Sequence, residues 1–461
     1  MKNLYLSSAK FDENLTQYYG LNEAILMENA ANAIENLVRK KLTKGSRLLV
    51  ISGGGNNGAD GLCVARKLAG DYEVSVMLVS DKLNDMAKFQ LNILKKLGVD
   101  FIFSYKEEFK FDCFIDAIFG SGFHGELSNE IVEILDTLNS QKGLKIAVDI
   151  PTGIDKFGGV KSVAFVADYT VTMGALKLGL FGDLAKDFVG KIKVANLGVS
   201  KTKFQSEKSP FYLLEKSDLT LPNRTKQNTN KGDFGHLYIA SGEMSGASIM
   251  AGLAANAFGT GLVSLVSSEY ILNLPPFLMQ KSSFKDAKCV VIGPGLGDAK
   301  FDLKELTNKK VVIDADLCYR SEILEILDEN FVITPHPKEF VSLLKLANIA
   351  DISVSDLQFN RFKYAQIWSE KFRSVLVLKG ANTIIVQNEK LFVSNFGSPA
   401  LSKGGSGDVL AGMIGALLAQ NYSVLNASIS SVIAHGLAAQ KFRANLYGLN
   451  PLDIIEELKW L

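Results

Sequence analysis

An α/β chain made of two consecutive domains, each an open parallel sheet covered by helices on both faces, is the architecture the sequence predicts. Three observations carry that expectation. The chain has 461 residues, more than one hydrophobic core of ordinary size organises. Its β-rich apolar runs are continuous and not alternating, so such strands need cover on both faces. Each run is followed by a helix-patterned stretch, the connection that parallel neighbours require.

The elements follow in order. Arg47–Ser52 and the runs 74–80, 113–118 and 145–150 read as strands of the first half, each ending in glycine or an acid. Residues 198–218 are charged, carry Pro210 and lose that rhythm, which puts a boundary near residue 210 and domains at 1–210 and 211–461. A second series then begins: His236–Ala240, Cys289–Ile292, 311–313, Phe331–Ile333 and Val375–Leu378 alternate with helical stretches such as 248–258. A Gly-rich turn feeding a helix of small residues, 404–418, closes it.

Bulk composition narrows the function classes. Lys plus Arg number 50 against 49 for Asp plus Glu, so net charge marks neither a nucleic-acid binder nor a membrane-surface protein. The first residues lack the apolar core of a signal peptide, and the longest apolar stretches, such as 409–419, fall short of a membrane span. Cys63, Cys113, Cys289 and Cys318 are scattered without CxxC spacing, which reads as buried reduced thiols in a cytoplasmic protein.

The first half carries three polar strand ends. Gly53-Gly54-Gly55-Asn56-Asn57-Gly58-Ala59-Asp60 lies between the strand Arg47–Ser52 and an expected helix over 61–68, and satisfies GxGxxG at Gly53, Gly55 and Gly58. Such glycines bring backbone close to a phosphate at a helix N-terminus, or simply make a tight turn. Asp81 lies near the end of the second strand, where a dinucleotide site places an acid. Asn56, Asn57 and Asp60 add side-chain oxygens that a phosphate alone does not need. The runs Asp116–Gly122 and Asp149–Gly153 each set an acid where a buried strand meets a glycine turn. That is a favoured catalytic or binding position in open α/β sheets, and also a place for a helix cap. Asn57, Asp116 and Thr152 offer only hard oxygen ligands, suited to an alkali or alkaline-earth cation and not to zinc.

GGGNNGAD, DAIFGSG, VDIPTG and the early LMENAA run (26–31) resemble the NAD(P)H-hydrate epimerase domain over roughly residues 1–210. The resemblance implies a Rossmann-like three-layer sandwich. It implies that Asn56, Asn57, Gly58, Ala59 and Asp60, then Gly120, Ser121, Gly122, Phe123, His124, Gly125 and Glu126, and finally Asp149 line the hydrated nicotinamide nucleotide. It also implies a potassium ion on Asn57, Asp116 and Thr152. Ala59 stands where the family commonly has a second glycine. In the implied substrate, C6 carries a hydroxyl beside N1, whose lone pair expels it once an acid protonates it. Water then returns on the other face. Asp149 is the expected acid–base residue, with binding of the ribose or amide as the competing assignment.

The second half is dominated by Lys403-Gly404-Gly405-Ser406-Gly407-Asp408, a Gly-rich turn entering a helix. It offers backbone N–H donors to a phosphate, with one carboxylate beside them. It lacks the GK[ST] ending of a Walker loop, which disfavours a P-loop nucleotidase. Lys379-Gly380-Ala381-Asn382-Thr383 ends the strand Val375–Leu378 with a cation and a hydroxyl suited to a diphosphate, or with a merely solvated lysine. Gly293–Gly297 and Thr334–Glu339 are two further strand-end loops. His336, between two prolines, is either a binding group or a loop-stiffening residue.

GGSGD, KGANT, GPGLG and TPHPKE, with the opening LPNR and NKG, resemble the ADP- or ATP-dependent NAD(P)H-hydrate dehydratases of ribokinase-like fold over roughly residues 211–461. The resemblance implies ADP contacts from Lys379, Gly380, Ala381, Asn382, Thr383, Gly404, Gly405, Ser406 and Gly407. It implies hydrate contacts from Ala247, Gly297, His336 and Asp408. Lys338 stands where the family often has glycine, and Ser402-Lys403 where it often has threonine-glycine. Phosphoryl transfer to the C6 hydroxyl would replace a poor leaving group by phosphate, with Asp408 as base and a magnesium ion bridging the ADP phosphates. The expected partners are therefore NAD(P)H-hydrate and ADP, with no nucleic acid and no membrane. The expected assembly is a homo-oligomer, a tetramer among the forms open to it. Two rivals stay open: a vitamin or sugar kinase on the same fold, and a module whose first half only senses a nucleotide.

Overall fold

The computed structural model describes residues 1–103, 110–205 and 207–461. The chain divides into two compact units, Asn3–Ser209 and Pro210–Leu461, with Met1–Lys2 joined to the second.

The first unit contains seven parallel strands: β1 (Arg47–Ser52), β2 (Glu73–Leu78), β3 (Asp100–Ile102), β4 (Cys113–Ala117), β5 (Leu144–Val148), β6 (Tyr169–Met173) and β7 (Lys191–Ala195), in the order β3-β2-β1-β4-β5-β6-β7. Successive side chains of a strand point to opposite faces. On β1, Leu48 and Val50 join one buried cluster, while Leu49 and Ile51 join another. Both faces are therefore covered, which is why the run is continuously apolar. Among the helices here are α1 (Ala9–Glu13), α2 (Glu23–Lys41), α3 (Asn56–Leu68), α4 (Asp85–Lys96) and α5 (Asn129–Ser140). Helix α2 buries Met27, Ala30, Ala31, Ile34, Leu37 and Val38, one stripe at helical spacing, and starts where the Asn22 side chain accepts from Ala24 N. Strand order reverses between β1 and β4, so the carboxyl ends of these two strands open the crevice where such sheets bind ligands.

One boundary differs from expectation. The helix after β1 begins at Asn56 and not at residue 61, so Gly58, Ala59 and Asp60 are helical. The glycines make this possible by close approach. A Cβ at Gly53 would lie 2.1 Å from the Ile118 carbonyl oxygen, one at Gly54 1.9 Å from that of Lys82, and one at Gly58 1.9 Å from that of Gly53. The chain turns within three glycines and enters the helix at once. Ala59 is helical and fully buried, so the methyl in place of a glycine hydrogen carries no conformational penalty.

The second unit holds β8 (Phe211–Leu213), β9 (His236–Ala240), β10 (Leu262–Val266), β11 (Met279–Lys281), β12 (Cys289–Ile292), β13 (Lys310–Ile313), β14 (Phe331–Ile333), β15 (Val375–Leu378), β16 (Thr383–Gln387) and β17 (Lys390–Ser394). Their order is β8-β17-β16-β15-β14-β13-β12-β9-β10-β11. From β9 to β15 every pairing is parallel, whereas β15-β16-β17 is antiparallel. The β16–β17 hairpin lies outside the expected series. Its turn uses Asn388 and Glu389, both left-handed at φ 49° and 62°, where the usual sequence signal is a glycine.

The helices that bear on the second site are α6 (Ser245–Ala257), α7 (Pro337–Leu346), α8 (Arg361–Lys371), α9 (Ser406–Ala419) and α10 (Val424–Lys441). The expected stretches 248–258 and 404–418 correspond to α6 and α9, shifted at their ends. Small residues let these two helices meet backbone to backbone: a Cβ at Gly412 of α9 would lie 2.1 Å from the Ala251 oxygen of α6. All four cysteines are free and buried. Among the described residues no helix is long and apolar enough to cross a membrane.

Candidate active sites

In the first unit the ends of β1, β4 and β5 converge. A Cβ on Gly120 would lie 3.2 Å from both Asn57 Oδ1 and Asp149 Oδ2, which ties the three polar strand ends to one spot. Asp149 sits just past β5 at φ 65°, a backbone conformation that is unfavourable for a non-glycine residue and typical of functional positions. Its carboxylate collects donors. Ser121 N donates to Oδ2 at 2.9 Å, while Lys177 Nζ at 2.6 Å, Met173 N at 3.2 Å and Thr172 Oγ1 at 3.3 Å donate to Oδ1. Burial alone would raise the Asp149 pKa, but the Lys177 ammonium and these donors pull it down to about 2. Lys177 is itself fully buried and also donates to Met173 O at 2.6 Å.

Asp116, at the end of β4, is buried and held by Thr152, whose N and Oγ1 each donate to it at 2.7 Å. Phe119 N donates to Thr152 Oγ1 at 3.1 Å. Burial raises the Asp116 pKa to about 6 against those hydrogen bonds, and among the described residues none of its hydrogen bonds comes from a basic side chain. The Asn57 amide nitrogen is buried without a partner among the described residues. A carboxylate, a hydroxyl and an amide oxygen form a donor set suited to a large oxygen-seeking cation.

The remaining predicted residues divide. Asn84 Nδ2 donates to Asn56 Oδ1 at 2.5 Å across the mouth of α3. Asp60, one helical turn beyond Asn57, is half-buried, and burial followed by the charges of Asp149 and Asp12 raises its pKa well above the ordinary value. Phe123 stacks on Phe119 at 4.7 Å between centroids. Gly122, His124, Gly125 and Glu126 are exposed, as is Asp81 beyond β2. Sequence reasoning missed Lys177 and Asp12. A lysine inside the apolar run GALKLGL was the available signal for the first; nothing in the sequence marked the second.

In the second unit a matching cluster forms around Lys379, at the end of β15. Its Nζ donates to Asp314 Oδ1 at 2.7 Å and lies 3.9 Å from Glu339 Oε2. Burial lowers the Lys379 pKa, but Asp314 and Glu339 outweigh it and leave the group raised. A Cβ on Gly407 would lie 3.3 Å from Lys379 Nζ and 3.7 Å from Asp314 Oδ2, so the Gly-rich turn and the strand-end lysine share one site. Gly405, left-handed at φ 89°, starts α9 without a side-chain cap. Helix geometry leaves the first-turn amides, including those of Gly407 and Asp408, free of intrahelical acceptors and aimed at an anion. Burial and then Asp314 raise the Asp408 pKa to about 6.

The other candidates take supporting positions. His336 caps α7: Glu339 N donates to its Nδ1 at 3.2 Å, while His336 N donates to Glu339 Oε2 at 2.7 Å. Gly297 N donates to Asp316 Oδ2 at 2.9 Å, and Ala247 on α6 lies under the same loop, 2.9 Å from where a Gly295 Cβ would be. Gly380, Ala381 and Gly404 are exposed; Asn382 is buried; Thr383 is the first residue of β16. Ser406 Oγ lies 3.3 Å from His435 Nε2. Asp314 and Asp316, in the run IDAD, were overlooked although β13 ends on them. Between them Ala315 has φ 47°, left-handed backbone at a site as at Asp149. Among the described residues no three His, Cys, Asp or Glu side chains converge as a metal site.

Two α/β units, each with charged side chains at the carboxyl ends of parallel strands, define an enzyme with two sites on one chain. Comparison with known proteins gives the family. Residues 237–459 match a family model described as NAD(P)H-hydrate dehydratase, and residues 23–179 match one described as YjeF-related protein N-terminus. The chain is 40% identical to the bifunctional NAD(P)H-hydrate repair enzyme Nnr of Helicobacter pylori, covering 100% of both chains. It is 34% identical to the enzyme of that name from Escherichia coli K12, covering 95% of this chain and 90% of that one. A solved ADP/ATP-dependent NAD(P)H-hydrate dehydratase from Bacillus subtilis is 26% identical over 52% of this chain and 92% of that one, with a TM-score of 0.44. The chain belongs to the bifunctional NAD(P)H-hydrate repair enzyme family. Its fold class is the expected one, two successive α/β units built on parallel sheets.

Proposed function

We propose that the chain repairs hydrated NADH and NADPH in two steps: its first unit interconverts the R and S hydrates, and its second dehydrates the S form with conversion of ADP to AMP and phosphate. The observation that carries this reading is a cluster of charged strand-end residues in each unit of one chain that matches a two-activity relative along its whole length. In the first unit Asn56–Asp60 and Gly120–Glu126 bind the nucleotide around Asp149. That carboxylate, held near 2 beside Lys177, faces the ring as the C6 hydroxyl departs and takes a proton from the returning water. Asn57, Asp116 and Thr152 would hold a potassium ion, which supplies positive charge beside the nucleotide phosphates when bound.

In the second unit Lys379–Thr383 and Gly404–Gly407 hold ADP, while Ala247, Gly297, His336 and Asp408 hold the hydrate. Asp408 takes the C6 hydroxyl proton; the helix α9 amides and Lys379 balance charge on the transferring phosphoryl group. A magnesium ion on the ADP phosphates would need only one or two carboxylates, and Asp314, 3.7 Å from the Gly407 Cβ position, would supply one. The enzyme works in the cytoplasm as a homo-oligomer.

Incubating the protein with hydrated NADH and ADP while following NADH absorbance tests the whole reading. Regeneration of NADH from both epimers with release of inorganic phosphate is the expected result. A phosphorylated product that accumulates without NADH would make the second unit a kinase. Loss of R-epimer turnover alone would leave the first unit a binding module. Replacing potassium by lithium should slow epimerisation and leave dehydration unchanged.

A further inference from the structure

The first site has an ionised carboxylate and needs an acid. Asp149 collects Lys177 and three further donors, so at neutral pH it has no proton to give. The C6 hydroxyl nevertheless leaves as water only if something protonates it. Lys177 is committed to Asp149 and to the Met173 carbonyl. Asp12 lies on α1, one oxygen buried and the other accepting from Ser8 Oγ at 3.2 Å.

Asp60 is different. It is half-buried, and among the described residues its carboxyl has neither a hydrogen-bond donor nor an ion-pair partner. It follows Asn57 by three positions on α3, so the two side chains share one helix face. Asn57 Oδ1 and Asp149 Oδ2 each lie 3.2 Å from the Gly120 Cβ position. A ligand resting on Gly120 therefore meets the ionised Asp149 carboxylate and the end of the helix face that also carries Asp60.

We infer that Asp60 is the proton donor that converts the C6 hydroxyl of the hydrate into water, working against an ionised Asp149; this rests on the epimerase reading of the first unit. The Asp60 proton passes to the hydroxyl oxygen, the C6–O bond breaks with its electron pair on oxygen, and the N1 lone pair forms the N1=C6 bond. Water adds to the opposite face of C6 and gives its proton to Asp149. Asp149 is the stronger acid, so that proton returns through solvent to Asp60 and the cycle closes with no other reactant.

The charged groups around Asp60 make it a proton carrier. Burial, the Asp149 carboxylate and Asp12 all favour its neutral form, and Lys177 opposes them. On its own helix Cys63 is un-ionised, its thiol pushed up to about 11 by burial. On the neighbouring α2, Glu28 is paired with Arg66 and Lys67.

The test uses the full chain and R-hydrated NADH without ADP, with the two epimers separated chromatographically and dehydration of S-hydrate plus ADP as a control for the other unit. Wild-type kcat should fall on the alkaline side as Asp60 loses its proton. Asp60→Asn should lower kcat by about 10²–10⁴-fold, the usual loss for a positioned acid, with KM little changed and the alkaline fall abolished. Asp149→Asn, which removes a charge that raises Asp60, should move that fall to lower pH; this arm decides the matter if Asp60→Asn does not fold. Normal epimerisation by Asp60→Asn, a change in KM alone, an unchanged alkaline fall in Asp60→Asn, or an unmoved one in Asp149→Asn would overturn the inference. Wild-type protein that does not epimerise at all would instead defeat the reading of the first unit, and the inference with it.

Discussion

Asp408 and Asp149 are both strand-end or helix-start acids in glycine-rich surroundings, yet their environments push them in opposite directions. Asp149 faces a buried lysine and is depressed to about 2. Asp408 has Asp314 and Asp316 nearby and is raised to about 6 by burial and then by their charge. A base with a pKa near the working pH is an efficient one. Dehydration should therefore rise with pH through about 6 as Asp408 ionises, and Asp408→Asn should lower its rate by about 10²–10⁴-fold and erase that acid limb. Steady-state rates against pH, with ADP binding measured separately, check this; normal dehydration in the variant would move the chemistry to another residue. These opposite environments could not be read from the motifs, because Lys177 and Asp314 are distant in sequence from the acids they act upon.

At the level of elements, the turn between β1 and α3 depends on contacts that a methyl group would close. A Cβ at Gly58 would meet the Gly53 carbonyl at 1.9 Å, and backbone on both sides has little room to move. Gly58→Ala should destabilise the first unit by about 1–3 kcal/mol through overpacking. A lower melting temperature for epimerase activity, with dehydratase activity unchanged, is the measurement. Gly55 is the contrasting position: nothing lies within 4 Å of a Cβ there, so Gly55→Ala should be tolerated by the fold. The strand runs that carry the sites were legible because their residues are apolar on both faces. β16 and β17 were not, because their turn, Asn388-Glu389, reaches left-handed backbone without glycine.

For the whole molecule, the compact units part between Ser209 and Pro210, with Met1–Lys2 joined to the second, and each has its own buried clusters. Fragments 1–209 and 210–461 should each unfold in a single cooperative transition, the first retaining epimerisation and the second dehydrating only the S-hydrate. Circular dichroism melts and the two assays on separate fragments test this. Fragments that fail to melt cooperatively would show that the units need one another to fold.

By itself the sequence determined the α/β class, the chain positions of the strands that carry the sites and which strand ends bear polar groups. Those features are written in local patterns: continuous apolar runs, helix spacing, glycines at turns. Only the tertiary structure decided that Lys177 neutralises Asp149, that Lys379 pairs with Asp314, and that Asp60, on the same helix face as Asn57, has no partner among the described residues. Protonation state depends on burial and on charges brought near through space, and neither quantity exists until the strands are ordered side by side.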